Sequence, residues 1–114
     1  MFSRIIHNIF KGIIMKSEEF HQMMKNDSFS KIKNGLSFLF DKYEEQFSKT
    51  DYPYFINDER ELLEYDEYAI ALENFCSNLD EFDIRISQDD LEIIKECANL
   101  MQLPDKIYDY LKIR

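Results

Sequence analysis

Glycine and proline are almost missing from this chain, with two of each in 114 residues, and tryptophan is missing altogether. So little turn chemistry does not supply the hairpins of a many-stranded sheet, and it leaves no glycine-rich loop to cradle a phosphate. The two cysteines, Cys76 and Cys97, are too few for a disulfide framework and stand in no CxxC or Cys/His ligand pattern, which fits a reducing cytoplasm. Both histidines, His7 and His21, lie outside the acidic region, and no EF-hand loop, HExxH or Glu-x-x-His motif occurs, so neither a metal nor another cofactor is expected. Cations are in deficit too: Lys and Arg total 14 against 23 Asp and Glu, a net charge of −9. Neutralising phosphates needs clustered Lys and Arg, so direct nucleic-acid binding is not expected, whereas a basic partner is.

What is present points to helix. Hydrophobic residues make up 45 % of the chain and charged residues 32 %, with many Phe and Tyr, a globular composition whose length suits one core. The expected fold is all-α, a compact single-domain bundle of about five or six helices. Residues 1–16, MFSRIIHNIFKGIIMK, form a basic segment ahead of a helical domain at 17–114. In it Phe2, Ile5, Ile6, Ile9, Phe10, Ile13 and Ile14 share one helical face, and Arg4, His7, Asn8 and Lys11 the other. The segment is too interrupted to span a membrane and has neither an unbroken apolar run nor a cleavage site of the signal-peptide type. Three readings stay open for it: a first helix docked on the body, a helix lying on a membrane surface, or an extension upstream of a natural start at Met15.

Further along, helix signals come with recognisable ends. Ser17 followed by Glu18 and Glu19 opens a short segment to about Met24. Ser28 caps a longer one in which Phe29, Ile32, Leu36, Leu39, Tyr43 and Phe47 keep a 3.6-residue rhythm, and Gly35 inside it marks close packing. Pro53 breaks the run. Asn57 or Asp58 caps ERELLEY, a further helix runs from Asp66 to about Phe82, and DIRIS is an extended link. Ser87 with Asp90 has the spacing of a capping box for QDDLEIIKECANLM, whose stripe is Leu91, Ile94, Cys97, Ala98 and Met101. After Pro104 a last helical segment, KIYDYLKI, closes over the core with Ile107, Tyr110 and Leu111.

The stretch EYDEYAIALENFCSNLDEFDIRIS, Glu64 to Ser87, is the most informative. Tyr68, Leu72, Phe75, Leu79 and Phe82 cluster on one face as core, with Ala71 and Cys76 at its margins. Asp66, Glu73 and Asp80 form a ridge on the far side, Glu67, Asn74 and Glu81 a parallel one, and Ile70 lies between them. An apolar anchor inside a charged rim is the anatomy of a small interface, although a solvated acidic face has the same composition. The contact candidates are therefore Asp66, Glu67, Ile70, Glu73, Asn74, Asp80 and Glu81, with Asp83 just beyond. General acid–base catalysis would require paired carboxylates held in a pocket, and acids turned to water lack that desolvation, so no catalytic residue is expected.

The run from Glu64 to Met101 resembles the C-terminal half of small bacterial immunity proteins of the MafI kind, and is similar to immunity proteins of contact-dependent growth inhibition systems. The matching positions are Glu67, Tyr68, Ala71, Leu72, Glu73, Phe75, Cys76, Leu79, Glu81, Asp83, Ile86 and Ser87. The resemblance covers residues 61–103; where many relatives have Gly before the Glu-Tyr pair, this chain has Asp66, and residues 1–16 are no part of the pattern. It implies a non-enzymatic antidote that binds a cognate bacterial toxin domain, often a nuclease, in the cytoplasm. The alternative expectation, from another class, is a membrane-peripheral or regulatory protein working through residues 1–16.

Overall fold

An apolar row at helical spacing makes a stable helix only where something covers it. Within residues 27–114, those that the computed structural model describes, three further helices cover the row on the first. The order is α1 (Asp27–Ser48), α2 (Phe55–Glu64), α3 (Tyr68–Glu81) and α4 (Gln88–Leu100), followed by a 3-10 turn at Asp105–Ile107. Residues 1–16 and the segment that Ser17 caps lie outside the described residues, and with them the readings placed there. α1 touches all three other helices, and α3 also meets α2 and α4, so α2 and α4 flank an α1–α3 pair.

Phe75 is the hub of that pair. Its ring lies 5.4 Å from Phe40, 6.0 Å from Tyr43 and 6.1 Å from Phe47, and Phe47 in turn is 4.7 Å from Phe55 of α2. Rings at these separations are mutually attractive, and burying each contributes about 1.5–3 kcal/mol. Ile32, Leu36, Leu39, Tyr43 and Phe47 are buried as the rhythm predicts, joined by Phe40, while Phe29 is half-buried. Gly35 does mark a close approach: a Cβ there would stand 3.0 Å from Cys97 Sγ and 3.2 Å from Ile93 Cγ2 of α4. Both cysteines are buried and free, and burial pushes the thiols up, Cys76 to about 12 and Cys97 to about 11, where neither is nucleophilic.

Short of glycine, the chain ends its helices in an unusual way. Asp66, Asp83 and Gln102 hold φ of 59°, 54° and 58° immediately after α2, α3 and near the end of α4. Each is followed by an amide that reaches back into the last turn: Glu67 to Leu62 at 2.9 Å, Ile84 to Leu79 at 2.8 Å and Leu103 to Ala98 at 2.8 Å. These are Schellman closures built on side-chain-bearing residues where glycine would be unstrained. One consequence corrects the expected boundary, because Asp66 lies in the turn and α3 starts at Tyr68. Neither Asn57 nor Asp58 caps α2, which begins earlier at Phe55 behind Pro53; Asp58 instead accepts a bond from the Tyr52 hydroxyl.

DIRIS is extended, and Ile86 pairs with Ile113 in a single parallel bridge, with Ile86 N donating to Lys112 O at 3.0 Å and Arg114 N to Ile86 O at 2.8 Å. That pairing overturns the last helical segment. After Pro104 the chain makes only a 3-10 turn and is then drawn out straight to reach Ile86, leaving Ile107 and Leu111 half-buried and Tyr110 exposed. Four α-helices are thus described where the sequence predicts about five or six for the whole chain. None of the described helices is long and apolar enough to cross a membrane.

Ser87 caps α4 as its spacing predicts, accepting from the Asp90 amide at 3.1 Å. The Asp90 side chain also engages Ser87 but is directed mainly elsewhere. It is 1 % exposed and turned into the α1–α4 seam, where Tyr43 Oη donates to it at 2.5 Å and Lys42 Nζ stands at 2.8 Å. Arg114 Nη2 donates to the same Tyr43 oxygen at 3.0 Å, tying the end of the chain into the seam. Burial alone would raise the Asp90 pKa; the bonds from Lys42, Tyr43 and Ser87 outweigh it and hold the carboxylate below its usual range.

Two outcomes follow for stability. Asp90→Asn should destabilise the fold by about 2–4 kcal/mol in urea titration, since Lys42 and Tyr43 lose an ionised acceptor, while the exposed neighbour Asp89→Asn should change it by about 0.5 kcal/mol or less. Gln102→Gly should raise the unfolding free energy by about 0.5–1 kcal/mol with the denaturant slope unchanged; a loss would mean that the left-handed turn carries no strain.

Candidate functional site

Helical spacing alone sets one face of α3 against the core and the other away from it. Tyr68, Ala71, Leu72, Phe75, Cys76 and Leu79 are buried, and Ile70 falls opposite them. Ile70 is half-buried and is not among the described hydrophobic residues packed on the core. Glu73, Asp80 and Glu81 are exposed around it, and none forms an ion pair among the described residues. These four residues lie on the side of α3 away from the core, with Ile70 half-buried rather than fully exposed.

Three of its expected members do not belong to it. Glu67 is 2 % exposed at the N-terminal boundary of α3, so it is buried rather than part of the exposed ridge. Asp66 sits in the turn before the helix and accepts a bond from the Tyr68 hydroxyl at 3.1 Å, so the seven-residue ridge runs through Glu73 and Asp80 only. Asp83 is exposed but already engaged: Lys112 Nζ is 2.9 Å away, and that bond lowers the Asp83 pKa. The C-terminal segment borders the ridge on this side. Tyr110 is pushed up to about 12, first by partial burial and then by the acids near it, Asp80, Asp109 and Glu73.

Asn74 lies on the other flank of Ile70, in a row Ile70–Asn74–Asn78 at i+4 spacing, and it opens on a feature that the sequence reading missed. Between α2 and α3 is a cavity of about 520 Å³ whose buried wall is Phe55 and Glu59 and whose rim includes Tyr52, Asp58, Glu61 and Tyr65. Glu59 is 1 % exposed. Asn74 Nδ2 donates to its Oε2 at a long 3.4 Å, and its Oε1 has no hydrogen-bond partner. Burial, opposed by the Asn74 bond and reinforced by the nearby Asp58, pushes the carboxyl up to about 8.

The cation that could have neutralised Glu59 is one residue away and faces elsewhere. Arg60 Nη2 lies 2.7 Å from Asp41 and 2.9 Å from Glu44, both on α1. Adjacent helical positions point about 100° apart, so Arg60 clamps α2 to α1 while Glu59 turns toward α3. A signal for Glu59 was present: it stands four residues after Phe55 and four before Leu63, both buried, and so in core register. Starting the helix at Asn57 or Asp58 leaves Phe55 out of that register and hides it. Among the described residues no group of three or more His, Cys, Asp or Glu side chains is arranged to hold a metal.

No protein-family model, curated protein or solved structure matches the chain.

The buried carboxyl makes stability depend on pH in a definite sense. A folded-state pKa near 8, above the ordinary 4.5, means that the folded chain holds more protons than the unfolded chain between those values, so unfolding becomes easier as pH rises through that window. Glu59→Gln should therefore equal wild type near pH 4.5 and exceed it by roughly 2–4 kcal/mol at pH 8, the gap widening by at most about 1.4 kcal/mol per pH unit. Paired urea titrations across that range would measure it; a constant gap would show that Glu59 ionises normally.

Proposed function

We propose that the chain is an immunity protein, a non-enzymatic antidote that binds a bacterial toxin domain in the cytoplasm through the open face of α3. The observation that carries this reading is Ile70 on the face away from the core, bordered by Glu73, Asp80 and Glu81, which pair with no cation among the described residues. An apolar centre within an acidic rim matches a partner whose own surface is basic. A toxin that cuts RNA or DNA presents such a surface, because its substrate groove must attract phosphates. The net charge of −9 would speed encounter with that groove, and Ile70 would provide the contact that keeps the complex together.

Resemblance to the immunity pattern adds support at one more position. Where many relatives carry Gly, this chain has Asp66 at φ 59°, in the region that glycine enters without strain. The departure in residue type is thus compatible with the same turn.

Charge reversal tests the reading. Glu73→Lys with Glu81→Lys, two exposed changes that leave the core alone, should lower affinity for the cognate toxin domain about 10- to 100-fold and abolish protection of cells expressing it. The toxin domain to test would be one encoded next to this chain in its own genome, such as the short C-terminal domain of a large secreted protein. Full protection by a double variant with wild-type circular dichroism and melting would remove this face from the interface.

A further inference from the structure

The cavity between α2 and α3 is chemically one-sided. Of its nine lining residues among those described, Tyr52, Phe55, Asp58, Glu59, Glu61, Leu62, Tyr65, Asn74 and Asn78, three are acids and none is a Lys, Arg or His. Each asparagine amide nitrogen already spends one of its two N–H groups, Asn74 Nδ2 on Glu59 and Asn78 Nδ2 on the Asn74 carbonyl at 2.9 Å. What remains for an occupant is weighted toward acceptors: the asparagine side-chain oxygens, the rim carboxylates and, once Glu59 is ionised, its partnerless Oε1. Burying an acceptor without a donor is costly, so an occupant that brings donors removes a penalty that the empty cavity carries.

We propose that this cavity is the socket for one arginine side chain of the protein partner, with the guanidinium donating to Glu59. Arginine fits better than lysine. Its planar fork can meet a carboxylate and an amide oxygen together, it is the more weakly hydrated cation, and it packs against aromatic faces such as Phe55 and the rim tyrosines. The volume, about 520 Å³, holds that side chain together with the flanking residues of a protein segment. Asn74 and Asn78 belong both to the cavity and to the α3 row that begins at Ile70, so a protein seated on the acidic face reaches the socket without a gap. The inference rests on the docking reading above and names a single anchoring contact within it. On arrival of the guanidinium, Glu59 releases its proton to solvent and the pair becomes a buried ion pair.

A toxin-free titration tests the socket. The probe is the peptide acetyl-Gly-Arg-Gly-amide, followed by NMR through the side-chain amides of Asn74 and Asn78 and through the Glu59 carboxyl carbon. Saturable shifts at both asparagines are expected, with the Glu59 titration displaced downward in pH and binding about tenfold tighter at pH 9 than at pH 7, since deprotonation of Glu59 no longer has to accompany binding. Asp58, Glu61, Tyr52 and Tyr65 also line the cavity, and Tyr52 is held up to about 12, first by its bond to Asp58. The citrulline peptide, equal in shape but uncharged, should bind at least about tenfold more weakly, as should the arginine peptide to Glu59→Gln. No shift at the asparagines, equal binding of citrulline, or an unmoved Glu59 titration would overturn the proposal. Free arginine binding more tightly than the peptide would also overturn it, by assigning the cavity to a small molecule. If the peptide fails while the Glu73/Glu81 reversal still abolishes protection, the docking face stands and only the socket falls; if the peptide binds and the reversal leaves protection intact, the socket stands without that face.

Discussion

A carboxylate sealed between two helices holds this fold to one arrangement. Asp90 opens α4, yet its side chain is spent on α1, where Lys42 supplies the countercharge and Tyr43 the hydroxyl. Apolar seams can slide by a turn at modest cost, but an ionised group buried with two specific partners cannot be moved without losing both. Gly35 against Cys97 and Ile93 allows the helices to come close enough for that contact, and Arg114 reaches the same tyrosine from the end of the chain. The position of α4, and with it the extended link that carries Ile86, follows from this one site.

Glu59 shows the same chemistry left incomplete. It too is a buried acid on a helix facing another helix, but its neighbours offer one long amide bond and no cation. The contrast is instructive because Asp90 has its partners in the chain, and its pKa falls, whereas Glu59 lacks them, and its pKa rises. Structural acids are ordinarily finished in the first way. An acid finished in the second way destabilises the folded chain at neutral pH, and sites of that kind are more often kept for binding than for architecture. In the proposed complex the missing cation comes from the other protein.

Most of the architecture was readable because helical periodicity reports burial directly. The rows Ile32–Leu36–Leu39–Tyr43–Phe47 and Tyr68–Leu72–Phe75–Leu79 are buried as their spacing predicts, and Ser87 caps α4. The failures share a cause: local preference assigns a polar side chain a role that the folded structure does not give it. Asp90 reads as half of a capping box, Asp58 as a cap and Glu67 as part of a water-facing ridge, yet the first is taken by α1, the second by Tyr52, and the third is buried. The C-terminal segment reads as helix because Ile107 and Leu111 have the right spacing, and nothing local announces that Ile113 pairs with Ile86. On the candidate face, Ile70, Glu73, Asp80 and Glu81 were legible from α3 alone, whereas the cavity needs two helices to exist.

The seam between α1 and α4 also sets a timetable. Tyr43 waits for a partner 47 residues further along the chain, so at a synthesis rate of about 5–20 residues per second the two are made roughly 2–9 s apart. During that interval α1 can rest on α2 and α3, but the face destined for Ile94, Cys97 and Ala98 has no cover. Of the described helices, the one made first is therefore finished last, and a nascent chain stopped before Asp90 lacks the α4 side chains that cover its apolar row.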